Sequence, residues 1–376
     1  MIWARPEKQA GHKASGSATW VPQPRQRGGN KRSNSPRPIS RHDAPIAPSA
    51  LSAASPWRPT GEPTISGSMS ESMTVFDRRA VRRHRDRAAP TLDGFDFLLA
   101  EAAERLTERL DDITRRFPLA LDLGCHGGEV GRALGKRGGV DTLLACDLSP
   151  AFAARAAGDK AARASGDKVT LAFAADEELL PIRPQSLDLV LSNLSLHWVN
   201  DLPGALIQIR RALKPDGLFL GCLLGGETLG ELRGCLAQTE IALEGGLSPR
   251  TSPLADVRDA GNLLTRAGFA LPTVDVDTLT VHYGDPLALL RDLRGMGETN
   301  AVIERRKGFT RRETLLSALA LYRERHGDDQ GRVPATFQII TLTAWAPSPD
   351  QPQPAKRGSG MVGLGQALAN PGAPLV

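Results

Sequence analysis

The chain has 376 residues with 47 Lys+Arg and 42 Asp+Glu, but its basic excess is local: residues 1–72 carry 10 basic and 4 acidic side chains, leaving 37 basic and 38 acidic in the rest. A near-neutral body gives no support to nucleic-acid binding. Four cysteines with no C-x-x-C pair argue against a disulfide framework or zinc site and fit a reducing compartment, and no apolar run approaches the ~20 residues that span a bilayer.

Residues 1–72 are rich in Pro, Ser, Gly and Arg and have no hydrophobic period, so they read as a disordered extension. Their Arg/Ser content resembles a transit peptide, but 10 prolines oppose the amphipathic helix such a peptide needs. Translated upstream sequence, with Met69 or Met73 as the working start, fits as well. An N-terminal helical segment is expected over 73–116. It opens with six arginines (Arg78, Arg79, Arg82, Arg83, Arg85, Arg87), which suit either anionic groups or a solvated helix face. Phe95, Leu98, Leu99, Ala102, Leu106 and Leu110 then repeat at helical spacing.

From 117 the pattern alternates. Apolar runs at Leu119–Leu123, Thr142–Asp147, Val169–Ala174, Leu187–Asn193 and 218–224 predict strands, with helices after several of them (151–164, 202–213). Such alternation gives an α/β fold, a doubly wound and mostly parallel sheet covered on both faces. Helices are expected at 227–243 and 254–267, then two late strands at 273–283 and 335–346 with helices Pro286–Met296 and 310–326 between them. Two strands without a crossover predict an antiparallel edge, and the helices at about 226–268 and 286–327 predict a cap over the carboxyl ends of the parallel strands. Residues 117–346 thus read as one domain and 347–376, rich in Pro and Gly, as a flexible tail.

Strand 119–123 runs into Asp122-Leu-Gly124-Cys-His126-Gly127-Gly128 and then a helical pattern, the entry to a nucleotide-type site. It is not a G-x-G-x-x-G turn, and Asp122 would repel a pyrophosphate. An acid there suits a cofactor with a cationic end, such as the ammonium and sulfonium of S-adenosylmethionine (SAM). Asp147, followed by Leu148, ends the second strand and can accept from ribose hydroxyls. Asp176 and Glu177 follow the third strand, where an acid can accept from an adenine amino group. Each acid has a plainer role as a turn or helix cap; together, in order, they favour SAM. The candidate cofactor site is Asp122, Gly124, Gly127, Gly128, Asp147, Leu148, Asp176, Glu177 and Asn193. Asn193, Ser195, His197 and Trp198 end the fourth strand, with Asn193 and His197 the candidate catalytic pair, His197 as a base or as a residue that shapes the pocket.

These motifs, with Leu187-Asp-Leu-Val-Leu-Ser-Asn-Leu-Ser-Leu-His-Trp-Val199 and Leu213-Lys-Pro-Asp-Gly217, resemble the class I SAM-dependent methyltransferases, in the branch of the malonyl-carrier-protein methyltransferase of biotin synthesis. Gly225-Gly-Glu-Thr-Leu-Gly-Glu-Leu-Arg233, Glu244-Gly-Gly-Leu-Ser-Pro249, Gly295-Met-Gly-Glu-Thr-Asn300 and Val333-Pro-Ala-Thr-Phe-Gln338 resemble more narrowly the mitochondrial complex I assembly factor 5 family and its bacterial relatives, from near Met73 to about Ser359. The resemblance implies a Rossmann-like seven-stranded sheet with its last strand antiparallel, and SAM at the glycine turn. It also implies an alternative activity, hydroxylation of an arginine on a quinone-site subunit of respiratory complex I.

Methyl transfer needs alignment and water exclusion rather than a metal. Hydroxylation needs an oxidant, often iron on two His and a carboxylate, and His126, His197, His282 and His326 are scattered without a His-x-Asp/Glu pattern, so no metal site is assigned. The sequence therefore favours a SAM-dependent methyltransferase of undetermined acceptor, with a protein such as a complex I subunit as one candidate; a non-catalytic assembly factor is a third reading. Glu227, Glu298 and Asn300 suit a guanidinium or ordinary loop bonding. The expected location is cytoplasmic, with the mitochondrial matrix as alternative. His126, where such turns usually carry glycine, is expected in the left-handed region, which histidine tolerates better than most residues.

Overall fold

The computed structural model describes residues 74–158, 169–352 and 358; the extension 1–72 and most of the tail after 346 lie outside them. One sheet holds β1 (Leu119–Leu123), β2 (Thr142–Asp147), β3 (Val169–Ala174), β4 (Leu187–Asn193), β5 (Leu213–Leu224), β6 (Ala270–Tyr283) and β7 (Val333–Trp345), in the order β3-β2-β1-β4-β5-β7-β6. Strands β1 to β5 are parallel. β7 runs against both β5 and β6, so the late pair makes the antiparallel edge that its lack of a crossover predicts.

The helices are α1 (Arg78–Ala88), α2 (Phe97–Glu108), α3 (Glu129–Leu134), α4 (Pro150–Gly158), α5 (Leu202–Ala212), α6 (Gly230–Glu244), α7 (Val257–Arg266), α8 (Pro286–Met296) and α9 (Arg312–His326). Four of them, α1, α5, α7 and α8, open on an aspartate whose carboxylate accepts a first-turn N–H. All seven residues of β4 are buried, as a central parallel strand requires. One sheet face packs on α2, α3, α6, α8 and α9 through Leu99, Leu106, Leu134, Leu232, Met296 and Tyr322. The other packs on α5 and α7 through Leu206, Ile209, Ala260 and Leu264.

Two boundaries change. The helix expected from 227 starts at Gly230, because Gly225 and Thr228 are tied to Gln338 of β7 and Leu229 turns at φ 53°. β5 begins at Leu213, before the expected 218; Asp216, at φ 60°, bulges between the pairs Leu187↔Leu213 and Leu189↔Leu218. Of the helices expected to cap the sheet, α6, α8 and α9 put apolar stripes on one sheet face. The carboxyl-end residues Asp147, Glu177 and His197 are also met by Arg85 of α1 and by Glu298 of the segment 297–302, so α1 and that segment lie at this edge too. These two are joined by a Phe76–Val302 bridge and by His84, whose Nδ1 lies 3.0 Å from the Thr299 carbonyl.

Candidate cofactor and acceptor site

β1 delivers Asp122 to the turn, where it is 1 % exposed and both carboxylate oxygens lack a hydrogen-bond partner among the described residues. Burial, with the charges of Glu129 and Asp147, pushes its carboxyl well above the usual range. Gly124 follows at φ 74°, and a Cβ there would stand 2.1 Å from Ser195 Oγ, so only glycine fits. His126 does adopt the left-handed region, at φ 45°. Its Nε2 donates to the carbonyls of Asn193 (3.0 Å) and Leu194 (3.2 Å), and its backbone N–H donates to Asp147 Oδ2 (3.2 Å). Burial and the charge of Arg85 lower its pKa, so it is a neutral strut bracing the turn against β4.

Gly128, at φ 88°, starts α3. Glu129 accepts from the Gly127 N–H (3.0 Å) and meets Arg132 (3.1 Å), yet burial raises its pKa to about 7. Because that folded value exceeds the ordinary 4.5, its contribution to stability is full below 4.5 and is lost as pH rises towards 7. Glu129→Gln keeps an acceptor oxygen and should flatten the fall of Tm across that window, as scanning calorimetry from pH 4 to 8 would record. An unchanged pH slope would contradict the assignment.

The remaining acids carry arginines. Arg85 of α1 is 1 % exposed; its Nη1 donates to Glu177 Oε1 (2.9 Å) and Asp147 Oδ1 (3.3 Å), and its Nη2 to Ser195 Oγ (2.8 Å). Arg78 donates to Asp176 Oδ1 (2.6 Å) and to Glu177 Oε2. Burial pushes the Glu177 carboxyl up, but Arg85 and Arg78 outweigh it and hold it at about 2. Of the six arginines at the start of α1, two therefore turn inward onto the site; Arg79, Arg82, Arg83 and Arg87 are exposed. The signal was there: Arg85 shares a helical stripe with buried Val81 and Ala88.

The structure brings Asp122, Gly124, Gly127, Gly128, Asp147, Asp176 and Glu177 to one edge. Leu148 is half-buried beside Phe76 and Trp198. Asn193 is placed differently from the expectation. Its carbonyl meets His126, but its amide donates to Leu99 O (2.9 Å) and its Oδ1 accepts from Cys222 Sγ (3.1 Å), which commits the side chain to the α2 side. Glu298 Oε2 accepts from His197 Nε2 (3.0 Å) and Trp198 Nε1 (2.9 Å). Burial raises the Glu298 carboxyl, but its contact with His197 and the charge of Arg85 outweigh it and leave it lowered. The other two late residues stay out: Glu227 is exposed, and Asn300 bonds Pro249 O and the Val302 N–H.

This strand order, with a glycine turn after β1 and acids at the carboxyl ends of β1, β2 and β3, defines the class I SAM-dependent methyltransferase fold. A methyltransferase-domain family matches residues 121–221. The chain is 45 % identical over 297 residues to "Arginine-hydroxylase NDUFAF5, mitochondrial" of Danio rerio, covering 78 % of this chain and 90 % of that protein. It is 35 % identical over 281 residues to the malonyl-[acyl-carrier protein] O-methyltransferase of a Methylovorus species, covering 74 % and 92 %. The solved YcgJ protein of Bacillus subtilis aligns at 15 % identity and a TM-score of 0.45 over 65 % of this chain and 98 % of its own. The chain belongs to the family of the NDUFAF5 arginine hydroxylases.

Proposed function

We propose that this protein is an enzyme that binds SAM at the β1–α3 turn and modifies an arginine side chain of a protein partner. The observation that carries the cofactor assignment is the contrast among the edge acids. Asp147, Asp176 and Glu177 each carry an arginine, so they offer acceptor oxygens with little net field, which suits neutral ribose and adenine. Of these edge acids, Asp122 is the one buried with no partner among the described residues, and that is where an ammonium belongs. SAM, when bound, supplies a methyl carbon activated by sulfonium. The residues of the chain hold its ends, exclude water under α1 and the 297–302 segment, and present His197 and Glu298 to the acceptor.

The arginine acceptor is supported by the relatives at 39–45 % identity, which are named arginine hydroxylases. Methyl transfer is the reaction that the fold serves most directly. Hydroxylation is the second reading, favoured by those same names; it adds one oxygen and draws on an external oxidant and reductant. The partner that fits the sequence resemblance is a subunit of respiratory complex I, and the relatives' names place those proteins in mitochondria. No helix of the described residues is long and apolar enough to cross a membrane.

Mass spectrometry of complex I subunits from wild-type and deletion strains tests this. An arginine peptide heavier by one methylene in the wild type is the expected result. A gain of one oxygen would replace methylation by hydroxylation, and unmodified arginines with impaired assembly would reduce the protein to an assembly factor.

A further inference from the structure

The 297–302 segment puts a carboxylate against the end of β4 from 101 positions away in sequence. Glu298 is anchored at the end of α8, its N–H donating to the Leu293 carbonyl (2.9 Å) after Gly297 turns at φ 88°. Its Oε2 takes both ring donors, His197 Nε2–H and Trp198 Nε1–H, while its Oε1 has no hydrogen-bond partner among the described residues. Phe76 packs edge-on against Trp198 at 5.4 Å, and the His197 and Trp198 rings lie 5.3 Å apart, so the pair is packed as well as hydrogen-bonded. The side chains of His197 and Glu298 are 2 % and 7 % exposed.

A carboxylate can only accept, so the contact assigns the imidazole proton to Nε2. In the neutral imidazole Nδ1 is then a bare lone pair, and it is buried with no hydrogen-bond partner among the described residues. An unpaired buried acceptor costs stability, which suits a group kept for a substrate. Arg85 of α1 and His126 of the turn lie near Glu298, and His84 meets the Thr299 carbonyl beside it; none of them is placed on Nδ1.

We propose that Glu298 is a positioning residue that locks His197 in the Nε2–H tautomer and leaves Nδ1 to take a proton from the acceptor, while Glu298 Oε1 receives a guanidinium N–H. This rests on the arginine reading above. In the step, the acceptor's N–H bond breaks and its electron pair stays on nitrogen to form the N–C bond; the methyl group would come from SAM, whose S–C bond would break with its electron pair left on sulfur as a neutral thioether. The proton bonds to Nδ1, and the resulting imidazolium is held by Glu298 until the proton passes to water.

The test is ¹⁵N NMR of the full-length, histidine-labelled protein, with N-acetylarginine methylamide as probe. Wild type should show His197 with Nδ1 unprotonated and Nε2 protonated, and Glu298→Ala should show a mixture of tautomers. Glu298→Gln keeps the shape and an acceptor oxygen; it should hold the tautomer and bind the probe at least tenfold more weakly. A protonated Nδ1 in the wild type, or equal probe affinity in Glu298→Gln, would overturn the proposal. The arginine reading fails separately: the tautomer results would stand while the probe left the wild-type His197 resonances unmoved.

Discussion

Arg85→Met should lower the unfolding free energy by about 3–5 kcal/mol, the usual cost of leaving buried charges without their partner. For a domain of this size that is a fall in Tm of roughly 10 °C. The side chain is 1 % exposed, and its guanidinium serves Asp147, Glu177 and Ser195 at once. Methionine fills much of the space and removes no acid, so Asp147 and Glu177 remain close and unneutralised, with only Arg78 left on Glu177. Adding Glu177→Gln to the variant should restore part of the loss, since the second change removes one of the orphaned charges.

The sign with pH follows from Glu177. Its folded value, about 2, is below the ordinary 4.5, so its contribution to stability is present above 4.5 and is lost as pH falls towards 2. Most of that contribution needs Arg85. The gap between wild type and Arg85→Met should therefore narrow as pH drops through this window. Calorimetric Tm values for both proteins at pH 7 and pH 3 decide it, and equal stability at pH 7 would show that α1 is not pinned by this network.

The same network explains what could be read in the sequence and what could not. Strands β1 to β4 were legible because each is an apolar run closed by a polar residue or turn, and their bounds match. The edge acids were legible because they recur in order at those ends. The role of α1 was not. Six arginines in ten residues look alike, and a helical stripe says which one is buried but not which acids it meets 62 or 92 positions away. Glu298 could be singled out in a Gly-Glu-Thr segment, but only the chain's return over β4 sets it on His197. Asn193 shows the converse: a polar residue at the right strand end whose side chain is used by α2 and β5. Sequence order gave the edge; the long-range pairing assigned its residues.

Asp122→Asn should move stability and cofactor binding in opposite directions. Asp122 is a buried carboxylate without a partner among the described residues, and burial lifts its pKa well above the usual value. A folded value above the unfolded one means that its contribution is most favourable in acid, below about 4, and is lost as pH rises. As pH rises above about 4 the buried carboxyl becomes a liability, and asparagine, of the same shape but never ionised, should raise stability at pH 8 by about 1–3 kcal/mol, with the gain vanishing near pH 4. The cofactor reads the other side of the balance. If the SAM ammonium sits on this carboxylate, losing a charge-assisted hydrogen bond costs about 1.5–3 kcal/mol, or roughly 10- to 150-fold in Kd. Calorimetric titration with SAM and Tm measurements at pH 4 and pH 8 test both halves on the same two proteins. Wild-type affinity in Asp122→Asn would remove the turn from the cofactor site. A destabilised variant would show that the carboxylate has a structural partner; the expected pair, a firmer fold and a weaker site, would mark Asp122 as a residue kept for its ligand at the expense of the empty protein.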